Sequence, residues 1–334
     1  MSHPIEAARI SRREALRRTV LFSTAALATG GRSFLRAKPV ETNFESGGLD
    51  LLAIGDYGTR GDVRQVSVAR AMTKFAKSLD QPLTAVLALG DNFYKPITPN
   101  RFQDHFENMY SKDGLDCPFY ACAGNHDYGP KYDPQEGKLQ MQLDYTKNNP
   151  TSRWKFPSKW YTLELPSADK PLVKMIVLDG NYWEGALTPQ EKIDQRRFLK
   201  AELKKKSAAP WLWLVNHFPI FSDGHGHGDN TGLIREWGKL LQDYPVSLCL
   251  AGHDHIMQHV QVADYHPSFI VNGAGGAALY KLNDNCRGYV NNANLGFNHI
   301  HVTPDKFDVQ FITADGDCLH HFQRTQKGEV AIKA

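Results

Sequence analysis

The chain has 334 residues, 41% hydrophobic and 22% charged, with 39 basic residues against 36 acidic ones for a net charge of +3. That is ordinary globular composition, sized for one large α/β domain or two small ones, and the near-balanced charge gives no basis for a nucleic-acid or membrane-surface partner. Five irregularly spaced cysteines (Cys117, Cys122, Cys249, Cys286, Cys318) exclude a disulfide scaffold and a thiolate zinc site; one bridge stays open, Cys117 with Cys122 being the nearest pair.

The N-terminus reads as an address. SRREALRR (11–18) precedes the apolar TVLFSTAALAT (19–29), then GG and LRAKP, the layout of an export signal. The apolar stretch is shorter than the about 20 residues that a membrane-spanning helix needs. Arg12 and Arg13 after Ser11, with Leu16 downstream, resemble a bacterial twin-arginine signal. A Sec signal or a plain basic amphipathic helix is the alternative. The expected organisation is a signal over 1–37, cleaved after Ala37, a linker over 38–47, a catalytic domain over 48–327 and a tail over 328–334. A twin-arginine substrate leaves the cytoplasm folded, so the expected location is periplasmic or secreted, with the export machinery as partner and no stable membrane insertion.

From Gly48 onward apolar runs alternate with amphipathic segments. LDLLAIGD (49–56) predicts a buried strand. Val68, Ala71, Met72, Phe75 and Leu79 share one face of a helix within 62–80. TAVLALGD (84–91) predicts a second strand, RFQDHFENMY (101–110) a short helix and PFYACAGNHD (118–127) a third strand. Residues 129–170 lack periodicity and predict a long loop with an edge strand near WYTLEL (160–165). After the strand PLVKMIVLDG (171–180), TPQE (188–191) is a capping box with Thr188 at the N-cap, opening a helix to about Lys206. PWLWLVNHFP (210–219), a helix over 231–243 and VSLCLAGHDH (246–255) complete a second βαβ series. The C-terminal third, with turn signals at TPDK (303–306) and ADGD (314–317), predicts antiparallel sheet. The sum is an α/β fold of two mixed sheets with helices outside.

Five of these strands stop at a polar motif: GDYG (55–58), GDNFY (90–94), GNHDY (124–128), VNHFP (215–219) and GHDH (252–255). Ligands of open α/β sheets collect beyond the carboxyl ends of the strands, so residues remote in sequence should meet in one crevice. Alone, an aspartate after a strand is commonly a turn former or helix cap; five such ends in series demand a shared reason. They offer Asp56, Asp91, Tyr94, Asn125, His126, His217, His253 and His255. Carboxylate, amide and imidazole donors suit Fe, Zn or Mn, and the set is too large for one tetrahedral ion. Two ions fit better, with a carboxylate bridging them. Isolated histidines elsewhere (His105, His299, His301, His320, His321) are read as solvated or core-bonded.

This series of motifs resembles the metallophosphoesterase superfamily, and GDNFY, with RFQDHFENMY, CPFYACAGNHDYG, SRWKFPSKWYTLELP, NGAGG and DKFDVQFITADG, resembles the purple acid phosphatases of the small tartrate-resistant type over about residues 48–325. The resemblance implies a four-layer α/β/β/α sandwich and an acid phosphatase, a phosphoric monoester hydrolase in which a metal-bound hydroxide attacks phosphate monoesters in line. It implies Asp56, Tyr94 and His255 on a ferric ion, Asp91 bridging, and Asn125, His217 and His253 on a second, divalent ion (Fe, Zn or Mn). His126 would act on the substrate, joined by a histidine after VNHFP, a place for which His225 and His227 compete; the register with the following helix favours His227. Tyr94 fits this reading on its own chemistry, since a phenol with a pKa near 10 ligates usefully only beside a strongly acidic cation. Tyr57 stands where the family has Trp, and the segment after Asp179 is short for the mammalian type. Substrates would be small phosphate esters, nucleotides or phosphoproteins. A phosphodiester, nucleotide or phospholipid esterase using the same site is the alternative, and a non-catalytic binding protein would need a broken site.

Overall fold

The computed structural model describes residues 40–42, 44, 47–129, 135–183 and 185–333; the export signal read over 1–37 lies outside them. In chain order the strands are β1 (Leu49–Ile54), β2 (Ala85–Ala88), β3 (Phe119–Ala121), β4 (Trp154–Lys155), β5 (Tyr161–Leu165), β6 (Val173–Val177), β7 (Trp211–Val215), β8 (Leu248–Ala251), β9 (Met257–Gln261), β10 (Ser268–Asn272), β11 (Tyr289–Asn291), β12 (Gly296–Val302), β13 (Lys306–Thr313), β14 (Cys318–Thr325) and β15 (Val330–Ile332). The main helices are α1 (Val63–Ala76), α2 (Lys138–Asn148), α3 (Pro189–Lys204) and α4 (Thr231–Asp243). Eight strands form one sheet in the order β15-β14-β13-β12-β1-β2-β3-β4, and seven form another in the order β11-β9-β10-β8-β7-β6-β5. Strands β1 to β4 run parallel, as do β6, β7, β8 and β10.

Side-chain alternation builds the layers. Val173, Met175 and Val177 of β6, with Trp211, Trp213 and Val215 of β7, join the core that holds the first sheet's Leu51, Val86 and Val309. Ile176 and Leu214, one residue out of phase, join a second core with Leu199 and Leu203 of α3 and Leu233, Trp237 and Leu241 of α4. Trp211 and Trp213 meet Phe307 of the opposing sheet at 4.9 and 5.4 Å. Each such ring removes enough apolar area from water to contribute on the order of 4–6 kcal/mol of transfer free energy. On the outer face of the first sheet Phe75 of α1 meets Phe297 at 5.8 Å. The result is helix, sheet, sheet, helix, the predicted sandwich. Helix α3 starts on the predicted capping box, Thr188 accepting from the Glu191 N–H while Glu191 accepts from the Thr188 N–H.

Three expectations need correction. The stretch predicted as a loop over 129–170 contains α2, whose buried positions are Lys138, Leu139 and Gln142. A helix with so polar a buried face leaves no apolar stripe to read. Tertiary bonds hold it instead: Lys138 Nζ donates to His126 O at 2.6 Å, and Gln142 Nε2 donates to Asp127 Oδ1 at 3.0 Å. The short helix over 101–110 is a single π turn, Gln103–Glu107, around the buried Phe106. The C-terminal third is not purely antiparallel, because β10 pairs parallel with β8 as well as antiparallel with β9. At the ends of the catalytic region, Val330–Ile332 pairs with β14, and Glu41 exchanges backbone bonds with the Gln310 side chain. All five cysteines are free thiols.

The outer face of β1 carries a buried carboxylate. Asp50 accepts from His299 Nε2 at 2.7 Å, His301 Nδ1 at 2.9 Å and Gln81 Nε2 at 2.6 Å. Burial alone would raise the Asp50 pKa, but the hydrogen bonds from His299 and His301 outweigh it and hold the group well below the usual carboxylate range. A folded-state pKa below the unfolded one stabilises the protein above the unfolded value of about 3.9, and that stability is lost as pH falls below it. Asp50→Asn should therefore cost about 1–3 kcal/mol at neutral pH, as a buried bond network loses its acceptor. Urea unfolding between neutral pH and pH 3 checks this: the gap between wild type and variant should begin to narrow as the pH falls below about 4.

Candidate metal centre

The backbone at the strand ends is bent into a conformation that L-residues avoid. Asp56, Asp91 and His253 have φ of 58°, 51° and 68°, in the left-handed region, at a cost on the order of 1–3 kcal/mol each. The glycines of these motifs mainly make room. A methyl on Gly252 would lie 2.6 Å from Asp56 Oδ2 and 2.8 Å from Leu89 O. One on Gly124 would lie 2.2 Å from Asp91 Oδ1. The loops after β1, β2, β3 and β8 therefore press together closely enough for their side chains to share one site.

Two clusters result. Tyr94 Oη lies 3.2 Å from Asp56 Oδ1 and 3.1 Å from His255 Nε2, which is 3.3 Å from the same Asp56 oxygen. Next to them, Asn125 Oδ1 lies 3.1 Å from His217 Nε2 and 3.0 Å from His253 Nδ1. Asp91 lies alongside, its Oδ1 3.4 Å from His217 Nε2. Donor atoms of Asp56, Asp91 and His217 all lie within 4.8 Å of one another. The fold thus brings together all seven residues proposed as ligands.

The hydrogen bonds of the ring nitrogens show that this set fits a cation. The Nδ1 of His217 faces Leu89 O at 2.7 Å, and the Nδ1 of His255 faces Ala278 O at 2.7 Å. A carbonyl only accepts, so each Nδ1 carries the proton. In the neutral imidazoles each Nε2 lone pair then points at oxygens of Asp56, Asp91 or Asn125, which are electron-rich as well. A cation between them resolves the conflict, and this orientation of ring nitrogens is how metal-bound histidines are held. The electrostatics of the buried groups agree. Burial would raise Asp56, but His217, His255 and His253 hold it down to about 2. Burial, reinforced by the Asp56 carboxylate, pushes Asp91 up to about 6 despite the pull of His217. Burial would depress His217 and His255, yet the two aspartates raise both. The cluster's negative charge draws positive charge inward.

The remaining predicted residues lie at the rim. His126 is half-buried, its ring 4.5 Å from Tyr94 and its N–H donating to Asp91 Oδ1 at 2.9 Å. His227 stacks on His253 at 4.7 Å, and Asp254 Oδ1 lies 2.5 Å from its Nδ1. That bond raises the His227 pKa. His225 is exposed, and its ring makes no hydrogen bond or ring contact with the described residues. The fold thus gives His227, and not His225, a place against the ligand set.

Two functional residues escaped sequence reasoning, although both lie inside the motifs. Asp127, fully buried, accepts from the N–H groups of Asn92, Phe93 and Gly124 and from the side chains of Asn92 and Gln142, at 2.9–3.2 Å. It staples the loop after β2 to the loop after β3. Asp254, also fully buried, takes the hydroxyl of Ser222 on one oxygen and His227 on the other. The signal was available: each is an aspartate directly after a motif histidine. Tyr57 donates to Asn92 Oδ1 at 2.8 Å and so braces the same loop.

A two-sheet sandwich whose strand ends gather carboxylate, amide, phenol and imidazole donors defines a metal-dependent phosphoesterase. Residues 49–257 match the family model described as calcineurin-like phosphoesterase. Purple acid phosphatase 3 of Arabidopsis thaliana is 30% identical, over 84% of this chain and 79% of that one. Tartrate-resistant acid phosphatase type 5 of Sus scrofa is 28% identical, over 87% and 89%. Among solved structures, GAP50, "the anchor in the inner membrane complex of Plasmodium", superposes with a TM-score of 0.68 at 21% identity, covering 82% of this chain and 87% of that one, a likeness of fold alone. The chain belongs to the calcineurin-like phosphoesterase family, in its purple acid phosphatase branch.

Asp127→Asn would turn an amide NH2 toward donors that now share a carboxylate. Affinity for the metals should fall roughly 10–100-fold, the usual loss when a group orienting the ligands is changed. Competition with a chelator, followed by metal analysis, measures it.

Proposed function

We propose that this protein is an exported acid phosphatase with a binuclear metal centre, hydrolysing phosphate monoesters. The observation that carries this reading is the meeting of Tyr94 Oη, Asp56 Oδ1 and His255 Nε2 within 3.1–3.3 Å of one another, next to a second cluster of neutral donors. Asp56, Tyr94 and His255 would hold a ferric ion, the cation acidic enough to make a phenol a ligand. Asn125, His217 and His253 would hold a divalent ion (Fe, Zn or Mn), with Asp91 between the two. When bound, the ions supply Lewis acidity that activates water in mildly acidic medium and neutralises the phosphoryl oxygens.

The chain's own groups do the rest. His126, beside Tyr94, reaches the phosphoryl oxygens from the rim. His227, kept protonated by Asp254, donates its proton to the leaving alkoxide. The backbone N–H groups of His126 and His253, on Asp91 Oδ1 and Asp56 Oδ2, keep both carboxylates aimed. Export rests on the basic and apolar segments over 11–29, and a folded export route suits a site that must take up its metals first. No helix among the described residues is long and apolar enough to cross a membrane.

The deciding experiment isolates the full-chain protein from the periplasmic fraction of a bacterial host, then measures metal content, visible spectrum and monoester hydrolysis at acidic pH. A purple, iron-containing sample that loses its colour in Tyr94→Phe is expected; a colourless wild type with only zinc or manganese would count against the ferric assignment. His126→Ala should lower kcat by about 10²–10⁴-fold while keeping both metals, and loss of metal in that variant would refute a role on the substrate.

A further inference from the structure

The histidine placed to protonate the leaving group sits on a loop with little packing of its own. Residues 222–230 read SDGHGHGDN, with a glycine at every second position from 224 to 228. Gly226 and Gly228 have φ of 93° and 67°, and a methyl on either would meet nothing within 4 Å. His225, Gly226 and His227 are exposed. The N–H groups of His227 and Gly228 reach Gly224 O at 3.4 and 3.3 Å, long for such bonds. A segment so rich in glycine has a wide choice of backbone conformations. Yet His227 must stay stacked on His253 and bonded to Asp254 if it is to reach the leaving oxygen.

The order comes from the feet of the loop. Ser222 and Asp223 at one end are buried, and Asp229 at the other is exposed. Arg287, two residues before β11, reaches both ends. Its Nε and Nη2 lie 2.9 and 2.8 Å from Asp223 Oδ1, and its backbone N–H donates to Asp223 Oδ2 at 2.6 Å. Nη1 and Nη2 donate to Asp229 Oδ2 and Oδ1 at 3.1 and 2.6 Å, and Nη2 also meets Ser222 O at 3.2 Å. The side before His227 has further ties. Gln258 of β9 donates to Asp223 Oδ2 at 2.6 Å, and the His225 N–H donates to Lys281 O at 2.9 Å. The Asp229 carboxylate, after His227, is held by the guanidinium and by the Ser222 N–H at 3.1 Å. An isolated surface ion pair contributes little. Here a planar guanidinium engages two carboxylates at once, one of them buried, and so fixes the separation of residues 223 and 229.

We infer that Arg287 is a positioning residue for the reaction: by clamping Asp223 to Asp229 it holds His227 where it can protonate the leaving oxygen. The inference rests on the phosphatase reading and adds to it a residue outside the strand-end motifs. The side-chain bonds of Arg287 run to the feet of the loop. Its effect is therefore confined to the step that needs His227, transfer of a proton from the imidazole to the departing oxygen as the P–O bond breaks. That confinement has a signature. An alkoxide must be protonated as it leaves, whereas a dinitrophenolate departs as a stable anion and gains little from an acid.

The test measures kcat of the metal-loaded protein for glycerol phosphate and for dinitrophenyl phosphate, with metal content determined in each sample. Arg287→Gln and Asp229→Asn should each lower kcat on glycerol phosphate roughly 10–100-fold, as expected for a misplaced catalytic group. On dinitrophenyl phosphate kcat should stay within about twofold of wild type, and metal content should be unchanged. Asp229→Asn keeps the pair between Arg287 and the buried Asp223, so it decides the matter if Arg287→Gln fails to fold. Added to His227→Asn, Asp229→Asn should cause no further loss on glycerol phosphate, because both act through one proton transfer. Equal losses on the two esters, or a further loss of about tenfold in the double variant, would overturn the positioning role and leave the phosphatase reading in place. Unchanged kcat on glycerol phosphate in Asp229→Asn would do the same. A metal-loaded wild type that hydrolyses neither ester would overturn both.

Discussion

Two carboxylates of like charge, Asp56 and Asp91, lie almost fully buried side by side at the ends of adjacent parallel strands. Burying one unpaired carboxylate is expensive, and burying two together is more so. Much of the local structure answers this demand. His217, His253 and His255 surround the pair, and backbone N–H groups of His126 and His253 bond to it. The Nδ1 atoms of His217 and His255 are tied to carbonyls so that their Nε2 atoms face inward. These contacts concentrate donors around a point where a cation belongs, but they do not supply its charge. Metal binding should therefore contribute folding free energy as well as reactivity.

Strain is concentrated at the same place. Of the site residues, Asp56, Asp91 and His253 adopt positive φ, and each follows a glycine that a neighbouring loop touches. Such conformations persist only where the surroundings over-determine them. Asp127 is the main restraint, because its two oxygens collect donors from the loops after β2 and β3 and from α2. Thus the loop that carries Asp91 and Tyr94 depends on a helix with a polar buried face and on the hydroxyl of Tyr57.

What could be read from the sequence follows from how local each signal is. The strands around the site were legible because each is an apolar run ended by a polar motif, and both features lie within about ten residues. Helix α3 was legible from its capping box. Helix α2 was not, since Lys138 and Gln142 are buried by partners that only the folded chain supplies. The ligand histidines stood out by type and spacing, whereas Asp127 and Asp254 looked like turn residues until their distant donors came into place. Between His225 and His227 the register with the following helix favoured His227, whose stacking against His253 and bond with Asp254 are visible only in the fold.

Strand β1 shows how a structural histidine–aspartate contact differs from one that awaits a metal. Asp50 near one end and Asp56 just beyond the other each lie within 3.3 Å of an imidazole Nε2, from His299 and His255 respectively. The difference is in the opposite ring nitrogen. His299 Nδ1 accepts from Gln310 Nε2 at 3.1 Å, so its proton is on Nε2, where Asp50 needs it. His255 Nδ1 faces a carbonyl and must hold the proton itself, which leaves a bare lone pair facing Asp56. The first arrangement is complete as a hydrogen bond from a neutral imidazole to a carboxylate. The second needs either another proton or a metal, and the adjoining phenol of Tyr94 offers oxygen to the latter. The same two residue types, on one strand, are thus assigned opposite tasks by a single hydrogen bond on the far side of the ring.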